Sequence, residues 1–329
     1  MALAPPKSGK AWSSRKSGAA PSRRTELLEY IPPIEVYEKL RLRGQCCFDY
    51  HCYDHFCKSQ WTDNRLAFLI YRSVGLAAAM VVVIANIWNF HRNKDLRLWL
   101  VYYSGWLSLF MLCHAIFAII SAGAGYKRSK IKQNSTNNLR LNHRIVIFIQ
   151  WLLSTHFCAT VIISTIGFWA IHAKSNYRNV YFSSAIGVHG VGVVYAISEI
   201  LFTSVPWRLH HVWIPLCGQG LYALFVIVYY VAGGTGSKGV RNIYEGVDFG
   251  NASVGAPVVL AFTVGHCLSH CTVYFMYRIR VLAYLNWRDR SRTSSRSTEF
   301  NLADNLTISE IRRLREQGRA KETVNVQNV

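Results

Sequence analysis

AFLIYRSVGLAAAMVVVIANIWNF, residues 67–90, holds a single charged side chain, Arg72, in a run long enough to cross a bilayer. A hydrocarbon core of about 30 Å takes roughly 20 mainly apolar residues in helical form. Five more such stretches follow, near 98–122, 145–171, 181–203, 209–232 and 255–279, and no large soluble domain fits between them. The expected fold is all-α, a polytopic membrane bundle of about six transmembrane helices. It divides the chain into a basic N-terminal segment (1–65), the transmembrane domain (66–280) and a basic C-terminal tail (281–329).

Orientation follows from charge. Of 37 Lys and Arg, 29 fall on the side of the two termini and 7 on the opposite side, Arg72 being the remaining one. Short loops rich in Lys and Arg stay in the cytoplasm, so both termini are expected to be cytoplasmic. Residues 1–30 lack the apolar core of a signal peptide, which makes the first span the expected insertion signal. Residues 1–26 and 288–305 have the Ser/Arg-rich composition of disordered tails, and 308–319 (ISEIRRLREQGR) reads as one short helix.

The net charge of +20 is explained by this topology, which excludes a nucleic-acid footprint as the simplest reading. The basic tails, Arg278 to Arg296 among them, suit anionic lipid headgroups at roughly 1 kcal/mol per basic side chain. The bilayer and its headgroups are the expected partners, with no nucleic acid. Three N-x-[ST] sequons, at Asn134, Asn251 and Asn305, test the orientation, because only those outside the cytosol accept a glycan. The charge-based topology exposes Asn251 alone.

Cys46, Cys47, Cys52 and Cys57 interleave with Asp49, His51, Asp54 and His55 in CCFDYHCYDHFC, just before the first span. Zinc takes such ligands, but the spacing is that of no standard finger or ribbon. S-acylation of membrane-proximal cysteines is the second reading, and unmodified thiols the simplest.

Within the spans, burial of polar groups is costly enough to mark packing contacts or sites. The fourth stretch sets His189 among Gly187, Gly190 and Gly192, with Glu199 ten residues on, about 15 Å along the axis. The glycines would let a neighbouring helix approach closely, and Arg208 is the expected partner of Glu199. In the sixth stretch, GHCLSHC puts His266 and His270 on one face and Cys267 and Cys271 on an adjoining one. With His114, His156, His210 and His211 this invites a haem or di-metal reading. No two axial pairs stand at matching depth, so no cofactor and no metal are expected. AGGTGSKG, within 233–254, is a turn region and lacks the G-x-x-x-x-G-K-[ST] word of a phosphate loop.

Several separated words in order carry a family resemblance: WTDNRLAFLIYR (61–72), YYSGW (102–106), GVHGVGVVY (187–195), PWRLHHVWIPL (206–216), YYVAGGT (229–235) and IYEGVDF (243–249). Through them the chain resembles the rolling stone family of animal membrane proteins over roughly residues 58–285, leaving out the Cys/His stretch at 46–57. The resemblance implies a role at plasma membranes that fuse or adhere, as in myoblast fusion. It also implies a distant similarity to androgen-induced six-span hydrolases, which cleave fatty acid esters with an intramembrane threonine and histidine. Gly187, His189 and Glu199 match the histidine word of those enzymes. Ser104 stands where their threonine is expected, so that relation implies Ser104 as nucleophile and His189 as base, acting on a fatty acid ester. Small residues near Gly105 and Gly190 would then supply the oxyanion donors.

Overall fold

The computed structural model describes residues 53–93, 95–130, 141–172, 186–236, 239, 241, 243–244 and 250–305. Among these, six helices carry the fold: α1 Arg65–Arg92, α2 Tyr103–Lys130, α3 Leu141–His172, α4 Gly192–Phe202 with a π turn at Ile186–Val191 before it, α5 Trp213–Val231 and α6 Ala252–Asn305. Five are long and apolar enough to span a membrane, and the segment Ile186–Phe202 is a shorter apolar helix. No strand is present among the described residues. The all-α polytopic expectation holds, while the tails before residue 53, Asn134 and the 308–319 segment lie outside the described residues.

Each helix follows from its sequence. Asn64 caps α1, its Oδ1 accepting from the Leu66 and Ala67 amides at 3.0 and 3.1 Å, which satisfies two of the orphan donors at the helix start. Phe68, Arg72, Gly75, Ala79, Val82, Asn86 and Phe90 are buried, a three-and-four spacing that gives α1 one inward stripe. Ile70, Val74, Val81, Ile84 and Trp88 point outward and are all more than half exposed. In water such a face would drive aggregation; in lipid it faces its solvent.

Helix α3 is the central element, packed by α2, α4, α5 and α6. Its antiparallel register with α6 is fixed by three contacts. Ser269 donates to the Ala159 carbonyl, Gly265 lies under Ile163, and Gly167 lies under Phe262. That register sets Trp169, 42% exposed, level with Val259, and Trp287, 51% exposed, at the other end of α6. The two tryptophans are therefore about 42 Å apart along the helix, close to the 40–45 Å between the two interfaces of a bilayer, where tryptophan concentrates. Trp61, just ahead of α1, meets Tyr284 and Trp287 edge-on at 5.9 and 6.3 Å. The start of α1 and the interfacial turn of α6 thus share one side, called the terminal side below.

On the opposite side an aromatic cluster closes the bundle. Phe90, Leu98, Val101, Val226 and Ile243 are its buried centre. The Tyr222 hydroxyl donates to the Val101 carbonyl at 2.9 Å and pairs with the Tyr244 hydroxyl at 2.7 Å, which in turn accepts from the Tyr103 amide at 2.7 Å. Tyr244 in this way ties the long 233–254 connection to the start of α2. Gly105 lies so close to the Trp99 carbonyl that a Cβ would collide with it. Although alanine favours a helix over glycine by roughly 0.5–1 kcal/mol, Gly105→Ala is expected to lower the melting temperature in detergent, because overpacking costs about 1–3 kcal/mol. A raised melting temperature would show that the 99–105 turn is not packed this way.

Two expectations are corrected. Residues 288–305 are helical, continuing α6 to Asn305, because nothing between His266 and Asn305 breaks a helix: neither glycine nor proline occurs there. The glycines around His189 do not all mark close packing. Gly192 alone meets a neighbouring helix, at Val161, whereas Gly187 has nothing near and Gly190 only Ile186 of its own turn.

Candidate functional site

Two charges lie deep in the bundle. Arg72 of α1 and Glu199 of α4 are each about 1% exposed as side chains and form an ion pair through Arg72 Nη1 and Glu199 Oε1. The Tyr71 hydroxyl donates to the same oxygen at 3.1 Å and lies 3.0 Å from the Ser198 hydroxyl. His114 of α2 brings Nε2 to 3.8 Å from Glu199 Oε2 and holds the Tyr195 hydroxyl at 3.1 Å with Nδ1. Tyr195 itself fills the space above Gly75 of α1, where any Cβ would strike its ring. Helices α1, α2 and α4 are thus joined by one polar cluster. Each ion in it is expensive to bury alone and tolerable only because the other is there.

Sequence reasoning picked out Glu199 but gave it the wrong partner. The carboxylate meets Arg72, while the guanidinium of Arg208 lies over the Trp151 ring at 5.0 Å. Arg72, His114, Tyr195 and Tyr71 were not foreseen as a group. The signal was present: Glu199 is the one acid in the six apolar stretches, so a buried cation was needed to match it.

Below the cluster, on the terminal side, residues 203–207 form an irregular buried turn. Exposed backbone polar groups are not tolerated at such depth, and here side chains satisfy them. Arg280 of α6 donates to the carbonyls of Ile200 at 2.7 Å, Thr203, and Val205 at 3.2 Å. Its positive charge sits at the C-terminal end of α4, where the helix dipole favours a cation. Trp151 Nε1 donates to the Pro206 carbonyl at 2.8 Å, and His270 Nε2 to Arg208 and Leu209 at 3.1 Å. Ser59, Gln60 and Trp61 hold Phe202 and Leu201 from the chain preceding α1. His266 instead binds the Phe262 carbonyl of its own helix at 2.7 Å. The two histidines of GHCLSHC therefore face carbonyls, Cys267 is half-buried and Cys271 exposed, and no group of three metal-ligating side chains forms among the described residues.

The described part of the Cys/His stretch, Tyr53–Cys57, is a 3₁₀ turn. Phe56 is wholly buried against Trp151, with ring centroids 5.7 Å apart, and Cys57 packs on Gly125 of α2. Burial pushes the Cys57 thiol up to about 11 and the His55 imidazole down to about 4, so both are neutral at physiological pH. Burial opposes the Asp54 carboxylate too, but Arg65 at 2.6 Å and Lys58 at 3.4 Å outweigh it and lower its pKa. Buried against α2, the Cys57 thiol is not accessible to an acyl donor. Cys46, Cys47 and Cys52 lie outside the described residues.

His189 and Ser104 have different surroundings. His189 lies in the π turn, 6% exposed, its ring stacked on Phe168 at 4.5 Å and its Nδ1 3.3 Å from the Thr165 hydroxyl of α3. The same hydroxyl also reaches the His189 carbonyl at 3.3 Å. Ser104 is the second residue of α2, half-buried, and its carbonyl accepts from Asn86 Nδ2 at 3.4 Å. The Gly105 amide donates to the Tyr102 carbonyl at 3.0 Å and is spent there, which removes it from the expected oxyanion donors.

These features define the class: a polytopic helical membrane protein whose core is locked by a buried ion pair and a side-chain-lined irregular turn. The chain belongs to the rolling stone family, whose model, described as Protein rolling stone, matches residues 33–291. It is 23% identical over 228 residues to Protein rolling stone of Drosophila melanogaster, covering 65% of this chain and 79% of the relative. The family match begins ahead of the Cys/His stretch that the resemblance had left out. No solved structure matches the chain.

Proposed function

We propose that this protein acts at plasma membranes that adhere or fuse, as a noncatalytic six-span scaffold with both termini in the cytoplasm and its basic tails on anionic headgroups. Family membership supports the setting, through the role in myoblast fusion that the rolling stone resemblance implies. The observation that carries the noncatalytic reading is the engagement of the core: Glu199 is taken by Arg72 and Tyr71, His114 by Tyr195, and His189 is closed off at 6% exposure by Phe168 and Thr165. A general base must be within reach of both its nucleophile and an incoming substrate, and none of these imidazoles is open to one.

A second reading, an intramembrane hydrolase of fatty acid esters, is favoured by one contact, the hydroxyl of Thr165 beside His189 Nδ1. There His189 would take the hydroxyl proton and return it to the leaving alcohol, with Thr165 or Ser104 as nucleophile. Labelling with a fluorophosphonate probe in membranes separates the two. The scaffold reading expects no labelling of wild type above that of Ser104→Ala, Thr165→Ala and His189→Ala. Labelling of wild type that disappears in His189→Ala and in one hydroxyl variant would establish the hydrolase instead. Biotinylation of intact cells is expected to recover the chain from the cell surface; retention in internal membranes would contradict the plasma-membrane setting.

A further inference from the structure

Helix α6 carries a sequon at each end, Asn251-Ala252-Ser253 before its first turn and Asn305-Leu306-Thr307 at its last. Since α6 crosses the membrane between them, at most one of the two can meet the glycosylation machinery. Three observations favour the first. Asn251 and Ser253 are both exposed. The Asn251 Oδ1 accepts from the Ser253 amide at 3.2 Å and the Ser253 hydroxyl at 2.6 Å, so the carboxamide is held by its oxygen alone, and Nδ2 has no hydrogen-bond partner among the described residues. The α3–α6 register then gives the depth. Val259 is level with Trp169, so Asn251 stands about 12 Å beyond that tryptophan, ahead of the apolar span.

The side is set by charge. Asn305 shares its end of α6 with Arg288, Arg290, Arg292 and Arg296, as cytoplasmic segments do, whereas the 233–254 connection before Asn251 holds two basic residues, Lys238 and Arg241.

We propose that Asn251 is an N-glycosylation site and that the 233–254 connection faces the secretory lumen and then the cell exterior. In that reaction Nδ2 of Asn251 forms a bond to the anomeric carbon of a polyisoprenyl-pyrophosphate-linked oligosaccharide. The bond from that carbon to the pyrophosphate oxygen breaks, Nδ2 loses one proton, and the lipid pyrophosphate leaves. The glycan would project from the side closed by the Tyr222 and Tyr244 hydroxyls and the Tyr103 amide, on a connection that Tyr244 keeps tied to the bundle.

The test is the full chain expressed in animal cells, its gel mobility compared before and after peptide-N-glycosidase F. Wild type is expected to lose a single glycan step. Asn251→Gln and Ser253→Ala are expected to lack that step from the outset, and Ser253→Thr, Asn134→Gln and Asn305→Gln to keep it. Ser253→Ala retains the backbone donor to the Asn251 cap, so its result does not depend on the start of α6 staying intact. A wild-type chain with no sensitive step, or a step abolished by Asn134→Gln or Asn305→Gln, would overturn the assignment.

Discussion

Glu199→Gln is expected to be among the most destabilising single substitutions in the bundle, lowering stability in detergent by about 3–5 kcal/mol, the usual cost of breaking one side of a buried ion pair. The change deletes the one carboxylate that balances Arg72 among the described residues, and the guanidinium cannot shed its proton. Arg72→Leu is expected to cost less. It leaves a carboxylate that keeps the Tyr71 hydroxyl as a donor at 3.1 Å and has His114 at 3.8 Å. Arg72→Leu combined with Glu199→Leu is expected to recover part of the loss, since an apolar pair of similar volume often replaces a buried ion pair at little cost. Thermal unfolding followed by size-exclusion chromatography in detergent gives the order. Arg72→Leu proving the harsher single change, or neither change moving the midpoint, would mean that the two side chains do not share a buried pair.

Arg280→Leu is the second large effect. It leaves three carbonyls, of Ile200, Thr203 and Val205, without a donor in a region closed to water. At about 1–3 kcal/mol for each unsatisfied buried group, partly relieved by local rearrangement, a total near 3–5 kcal/mol is expected. Arg280→Lys is expected to fall between wild type and Leu, because one ammonium cannot reproduce the planar fork that spans the three oxygens. Hydrogen exchange locates the damage: amides of 203–209 should exchange faster in Arg280→Leu while those of α2 keep their rates. Uniform acceleration along the chain would assign Arg280 a global role in place of the local clasp.

What the sequence disclosed is governed by distance along the chain. The spans were legible because an apolar run of about 20 residues has a physical meaning by itself, and Ala67–Phe90 needs no partner to be read. The family words also find local reasons. The Asn of WTDN caps α1, PWRLHHVW supplies the Pro206, Arg208 and Leu209 carbonyls that Trp151 and His270 bind, and the Tyr of IYEGVDF is the clamp on α2. The Arg72–Glu199 pair joins residues 127 positions apart, and no periodicity reports such a contact. Arg208 looked like the partner of Glu199 because it is near in sequence, but the chain turns irregularly between the two, and Arg208 ends over Trp151. The 288–305 segment departs from expectation because its Ser and Arg content suggests disorder, while the absence of glycine and proline from His266 to Asn305 lets a helix already fixed at Tyr277 and Arg280 continue.

The most direct test of the account is content mixing between two populations of animal cells that both express the chain, each loaded with one half of a split reporter. Wild type and the double variant Ser104→Ala/His189→Ala are expected to mix alike and well above cells without the chain. Mixing that vanishes in the double variant, at wild-type surface abundance, would contradict the scaffold reading and transfer the function to catalysis at His189.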